Sequence, residues 1–445
     1  MRKLAICAAL AAAFAPGLAH ATDGYYADGY GLKAKGRAGS GTALATDAFG
    51  GANNPAAMVF VGNRIDFGLD LFSPRRESAR AGSAAGINGQ AESDSNYFLI
   101  PEFGYNRMIN PNMSLGITVY ANGGMNTDYP GGQISSGTAC GPNPPAGFNP
   151  APGPYNLLCG NGSLGVDLMQ LIFAPTLAYK VTPNHGFGIS PLIGYQRFKA
   201  EGLQAFGGFS SSPANLTNQG YDSAWGYGAR IGWFGQLSDT VSAGAAYSTK
   251  IYMQEFDKYK GLFAEQGDFD MPANYNVGIA FKATPKLTVL ADYRRINYND
   301  IPSVGNPSAR VVNCNLVGGT DPSACLGASN GAGFGWQNVN AYKLGFEYQY
   351  NGEIMLRAGY SHNDNPIGAQ DVTFNILAPG VIEDHVTLGF TYKTKSGGEL
   401  TMAYMHGLNN SVTGPSLFNR FGVPAGNETI KMYQNSIGIA YGWRM

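Results

Sequence analysis

The stretch Tyr342-Lys343-Leu344-Gly345-Phe346-Glu347-Tyr348-Gln349 puts Tyr342, Leu344, Phe346 and Tyr348 on one face. Lys343, Gly345, Glu347 and Gln349 take the other. A period of two with one uniformly apolar face is a β-strand with one oily side. The next stretch repeats the design, with Ile354, Leu356, Ala358 and Tyr360 set against Met355, Arg357, Gly359 and Ser361. About ten tilted residues cross the hydrocarbon of a bilayer, and aromatic ends match the interfacial girdles of a membrane barrel.

Working outward, the same unit predicts fourteen strands: 63–73, 97–107, 113–122, 165–181, 185–200, 223–235, 240–252, 272–283, 286–298, 340–350, 353–362, 384–395, 398–407 and 430–445. Gaps after odd strands are long and gaps after even strands are short, the wiring of an outer-membrane barrel with periplasmic turns and outer loops. Even strands close on Tyr105, Tyr179, Trp233, Phe281, Tyr348, Tyr392 and Trp443. Later odd strands close on Tyr195, Tyr247, Tyr293, Tyr360 and Tyr404. Both sets keep the apolar phase, as rings at two interfaces should. The fold class read here is an all-β antiparallel transmembrane barrel.

Composition agrees. Charged residues are 13% of the chain against about 25% in soluble domains. Glycine (63), Tyr (26) and Phe (24) are abundant, and a net charge of −1 leaves no footprint for nucleic acid. Arg2 and Lys3, the apolar run Leu4 to Leu18, and Ala19-His20-Ala21 read as an export signal over residues 1–21. Residues 22–62 carry no strand pattern and are expected to fill the lumen as a hatch, since fourteen strands enclose a space that would otherwise leak. The barrel is then 63–445.

Cys140 with Cys159, and Cys314 with Cys325, fall in pairs within single loops, so those disulfides are expected. No histidine lies in either loop and no metal site is expected.

The inward phase mixes charge with oil. Asp66, Asp70, Arg230, Asp292, Arg294, Lys343, Glu347 and Arg357 should face the lumen. So should Phe98, Ile100, Tyr120, Ile172, Leu192, Phe198, Leu290, Ile296, Met355 and Met405. An apolar cavity with a few placed charges suits an oily or amphipathic ligand. Packing against the hatch explains the same residues equally well.

Further segments carry a resemblance. Gly36-Arg37-Ala38-Gly39-Ser40-Gly41 followed by Asn54-Pro55-Ala56, then Pro101-x-x-Gly104-Tyr105, Leu115-Gly116, Trp225-Gly226-Tyr227-Gly228 and Tyr404-Met405-His406-Gly407, span nearly the whole mature chain. In these the chain resembles the FadL and TodX family of outer-membrane transporters for long-chain fatty acids and aromatic hydrocarbons. The resemblance implies a monomeric fourteen-stranded barrel with an N-terminal hatch. It implies ligand capture among the outer loops, an apolar internal site, and sideways exit at a kink in the third strand. Asn122-Gly123-Gly124, at the expected end of that strand, suits such a kink, as it also suits an ordinary strand-to-loop transition. His362-Asn363-Asp364-Asn365-Pro366 departs from the Asp-Ser-Pro-like turn frequent in the family, and the family's carboxylate-binding basic residues find no match here. Arg230, Arg294 and Arg357 are headgroup candidates by parity alone.

The expected partners are a hydrophobic small molecule, outer-membrane lipid and lipopolysaccharide, with no cofactor. One rival is a general porin for polar solutes, which would want a charged constriction and no hatch. An enzyme is the other. His362, His385 and His406 near the outer ends of neighbouring strands are its only cluster, and no acid–serine pattern accompanies them. Gly36-x-x-Gly39-x-Gly41 lacks the flanking strand and helix of a nucleotide loop.

Overall fold

The computed structural model describes residues 23–141 and 148–445. The expected export signal, residues 1–21, lies outside the described residues. The wall has fourteen strands: β1 Arg64–Ala81, β2 Phe98–Asn110, β3 Met113–Tyr129, β4 Leu164–Thr182, β5 His185–Glu201, β6 Asp222–Gln236, β7 Val241–Ser248, β8 Asn274–Thr284, β9 Leu287–Ile296, β10 Val339–Gln349, β11 Ile354–Asn363, β12 Asp384–Lys393, β13 Gly398–Pro415 and β14 Asn427–Arg444. Each pairs antiparallel with the next. β14 returns to β1 from Arg64–Arg444 through Ala81–Asn427, which closes the barrel. Closure pairs the backbone and removes the sheet edges that hydrocarbon cannot satisfy.

Alternation sorts the two faces as read from the sequence. Tyr342, Leu344 and Tyr348 are exposed on the outer wall while Lys343 and Glu347 are buried inside. Several strands run past their expected ends. β1 continues from 73 to Ala81 and carries a short return strand, Gly89–Glu92. β3 continues through the glycines to Tyr129, and β13 to Pro415. Above the bilayer no oily face is required, so the apolar signal stops where the hydrogen bonding does not. The seventh strand is shorter: β7 stops at Ser248, and Tyr252–Met253 pairs separately with β6.

Residues 23–62 lie almost wholly buried inside the barrel. They form short helical turns at Leu32–Lys35, Gly50–Asn53, Pro55–Ala57 and Met58–Val61. The wall is bare where this segment presses on it. A Cβ at Gly188 would stand 2.4 Å from Pro55 C, and one at Gly359 2.5 Å from Arg37 C. The inward glycines are therefore a bed for the segment.

Both disulfides form, Cys140–Cys159 and Cys314–Cys325, each stapling one outer loop.

Candidate functional site

The lumen charges meet the N-terminal segment. Glu347 takes Arg37 at 2.7 Å and Arg357 at 2.6 Å. Lys343 pairs with Asp23 at 2.9 Å and Asp28 at 2.5 Å, and Arg294 pairs with Asp23 at 3.2 Å. Asp70 holds Lys35. Asp292 accepts the N–H groups of Gly41 and Thr42 at 3.1 and 2.9 Å. Arg230 donates to the carbonyls of Gly51 and Ala52 and to Ser248. Nearly every such charge is buried with its partner, the arrangement in which losing one side is most costly.

The headgroup candidates already have partners within the chain. Arg230, Arg294 and Arg357 are buried but committed, the first two to the segment and the third to Glu347 and Thr391. Leu290 packs on Ala43, and the Tyr120 ring lies 4.4 Å from that of Tyr30, so both also face the segment. Gly36 backs onto Gly389 of β12. Asn54 caps the turn at Ala56 and donates to the carbonyls of Thr42 and Trp233 at 2.9 and 2.8 Å. The Asn54-Pro55-Ala56 stretch is thereby tied to β6.

The oil lies higher. An apolar cavity under the outer loops is lined by Leu158, Phe198, Phe206, Phe263, Phe334 and Phe374. Phe198 meets Phe263 at 4.7 Å and Tyr259 at 4.8 Å. Of the residues expected to face ligand, Phe198 alone lines this cavity; Ile172 and Leu192 belong to the surrounding core. The other lining aromatics sit in loops whose sequences carry no periodicity. The free volume is about 40 Å³, so the walls must part for anything larger than a few waters.

The wall has a gap beside this core. β2 and β3 pair from Asn110–Met113 only as far as Phe103–Val119. Above that level β3 slips register against β4 between Ala121 and Gly123. Phe98 to Glu102 of β2 pair only with β1, where Phe98 meets Phe72. Wall contact resumes where Asp128 O accepts the Asp94 N–H at 2.8 Å and its N–H reaches Ser93 Oγ at 3.0 Å. The glycines thus lie within β3, at its bulge, and not at its end. One apolar cluster fills the gap: Phe72, Phe98, Ile100 and Met405 from the lumen side, with Ala121 and Met169. By strand alternation the last two belong to the outer phase, so the cluster runs through the wall.

The N-terminal segment seals the inner side. Ala27 donates to Asn122 O and Gly124 to Tyr25 O, both at 3.1 Å. A Cβ at Gly123 would stand 1.8 Å from Tyr25 O, so only glycine permits this approach. Loop aromatics hold the same segment. The Tyr25 ring lies 4.9 Å from that of Tyr298, 5.7 Å from Trp336 and 6.2 Å from Phe269. Phe269 in turn lies 4.8 Å from Phe263 of the cavity. Cavity, loop and segment form one aromatic chain, and backbone hydrogen bonds join it to the gap.

The loop carrying Phe263 and Phe269 contains a carboxyl pair. Burial, and then the neighbouring Asp270 carboxylate, push Asp268 up to about 7, with Glu265 adding to the rise and Lys250 opposing it. The folded loop therefore binds the proton more tightly than an open one, and its packing weakens as pH rises from the ordinary 3.8 of an aspartate through about 7. Hydrogen exchange over residues 262–271 should be faster at neutral-to-basic pH than at mildly acidic pH after correction for intrinsic rates. Asp268→Asn should flatten that difference.

The histidines do not cluster. His362 bonds Asp384 and His406 bonds Asn435, while His385 is buried in the lumen against Gln434. Among the described residues no group of side chains is arranged to hold a metal.

Fold and site together define a class: a closed outer-membrane barrel with its own N-terminus in the lumen and long loops over it. The chain belongs to the outer membrane transport protein family OMPP1/FadL/TodX, whose model matches residues 156–416. It is a transport barrel and not an enzyme. The toluene transporter TodX of P. putida superposes with a TM-score of 0.64 at 17% identity, over 94% of this chain and 99% of that one. A FadL homologue of Pseudomonas aeruginosa gives 0.66 at 15%, over 95% and 99%. The toluene transporter TbuX of Ralstonia pickettii gives 0.60 at 17%, over 94% and 99%. No curated protein matches the sequence.

Proposed function

We propose that this barrel carries hydrophobic molecules passively across the outer membrane and releases them sideways through the gap between β2 and β3. The observation that carries this reading is the apolar cluster running through the wall at Phe98, Ile100, Ala121 and Met169. An oily molecule would enter the loop cavity at Phe198 and Phe263 and part its walls. Displacement of Phe269 would then loosen Tyr25, and the segment 23–27 would leave the inner side of the gap. The seated remainder of the N-terminal segment, residues 32–62, acts as a plug that denies the axial route to water and ions. Only the concentration gradient drives transfer. The structurally similar TodX and TbuX are named as toluene transporters, which supports a hydrocarbon cargo; the sequence resemblance to the fatty-acid transporters of the family keeps a fatty acid beside it.

The test pairs two measurements on the intact protein. Uptake of toluene and of dodecanoate by a strain lacking its own transporters should rise when the chain is expressed. Planar bilayers holding the same protein should show no large steady conductance. Large, steady channels with no gain in uptake would make it a porin.

A further inference from the structure

Among the described residues one buried arginine, Arg76, meets no carboxylate and has an unpartnered Nε. Arg76 lies on the inward face of β1, two and four residues beyond Pro74 and Phe72, and is 5% exposed. Arg37, Arg64, Arg80, Arg294 and Arg357 each meet a carboxylate. Arg230 has two carbonyls and a hydroxyl. Arg76 donates to the carbonyl of Ser95 and stands 5.8 Å from the centre of the Phe98 ring. Its Nε is buried with no acceptor, and no carboxylate among the described residues pairs with it. A desolvated guanidinium without a counter-ion is unfavourable unless something else supplies the charge.

The surroundings say what that is. Arg76 lines a slot with Phe72, Gly124, Met125 and Trp336, against the inner side of the wall gap. From it the apolar cluster leads away through Phe72, Phe98 and Ile100. We infer that Arg76 is a specificity-determining residue that receives the carboxylate of an amphipathic acid while its tail lies in that cluster. The inference rests on the sideways route proposed above. The planar guanidinium suits a carboxylate through paired N–H donors, whereas a neutral hydrocarbon has no use for it. Protein with Arg76 occupied would hold the acid head-up at the gap, tail toward the membrane.

Calorimetric binding of dodecanoate and dodecanol, which share a tail and differ in the head, tests this on the purified full chain in detergent at about pH 8, where the acid is ionised. Arg76→Gln should weaken dodecanoate about tenfold or more, the loss of a charge-assisted contact, and leave dodecanol unchanged. Arg76→Lys keeps the charge without the fork and should recover part of the acid affinity. Heat-shifted gel mobility verifies that each variant is folded. Equal weakening of both ligands, unchanged acid binding in Arg76→Gln, or a Lys variant no better than Gln would overturn the assignment and leave Arg76 as a brace for the segment at Ser95. In each of those cases the uptake reading survives if the wild type binds dodecanol. A wild type that binds neither molecule would overturn both.

Discussion

Removal of residues 23–45 is expected to turn the barrel into a leaky pore, with single-channel conductance rising on the order of tenfold or more and small sugars passing. An eight-stranded barrel is filled by its own side chains, while sixteen strands leave a water channel. Fourteen strands fall near the open end of that range. The wall contributes no compensating bulk, because glycines such as Gly244, Gly345 and Gly359 line the lumen where the deleted residues sit. Deletion would also strip Asp70, Glu347 and Lys343 of Lys35, Arg37 and Asp23. Those charges would then face the vacated part of the lumen and hydrate it. The barrel itself should persist, since the β1–β14 closure does not pass through the deleted residues. Unchanged conductance in a barrel that still shifts on heating would mean that the outer loops alone close the lumen.

The features behind that expectation differ in how visible they were to the sequence. Fourteen strands and their wiring were legible because hydrocarbon enforces a period of two and interfaces enforce aromatic ends. Tyr348 and Tyr360 mark opposite interfaces by residue type alone. Which partner an inward charge meets was not legible. Arg37 and Glu347 are 310 residues apart and Lys343 and Asp23 are 320 apart, and parity says only that a side chain faces inward. Arg230, Arg294 and Arg357 thus looked free for a ligand. Arg76 is hidden for a different reason. The apolar alternation ends near 73 while the strand runs on to Ala81; counting onward from Phe72 through Pro74 puts Arg76 on the inner face. The loop aromatics at the cavity, Phe206, Phe334 and Phe374, have no periodic signal to expose them.

Gly123→Val should unlatch the sideways route and speed uptake of toluene by about tenfold while leaving ionic conductance low. The valine Cβ would fall 1.8 Å from Tyr25 O, so the segment must move away. That movement breaks the Ala27–Asn122 and Gly124–Tyr25 backbone hydrogen bonds. Each contributes about 0.5–1.5 kcal/mol net, and together they shift the docked population by about one to two orders of magnitude. β3 itself gains a residue that strands favour, and the bulge already present at Ala121 to Gly123 gives the side chain room on the side the segment vacates. Axial leakage should not follow, because Lys35 with Asp70, Arg37 with Glu347, and Asn54 with Trp233 stay in place below. The contrast with the deletion is what makes the result informative. Deleting 23–45 opens the barrel to everything small, whereas Gly123→Val opens the side gap alone. Faster hydrogen exchange at residues 23–27 in the variant would confirm undocking independently of transport. Undocking without a change in toluene uptake would show that the segment is not the gate, and sideways release at β3 would then have to be abandoned.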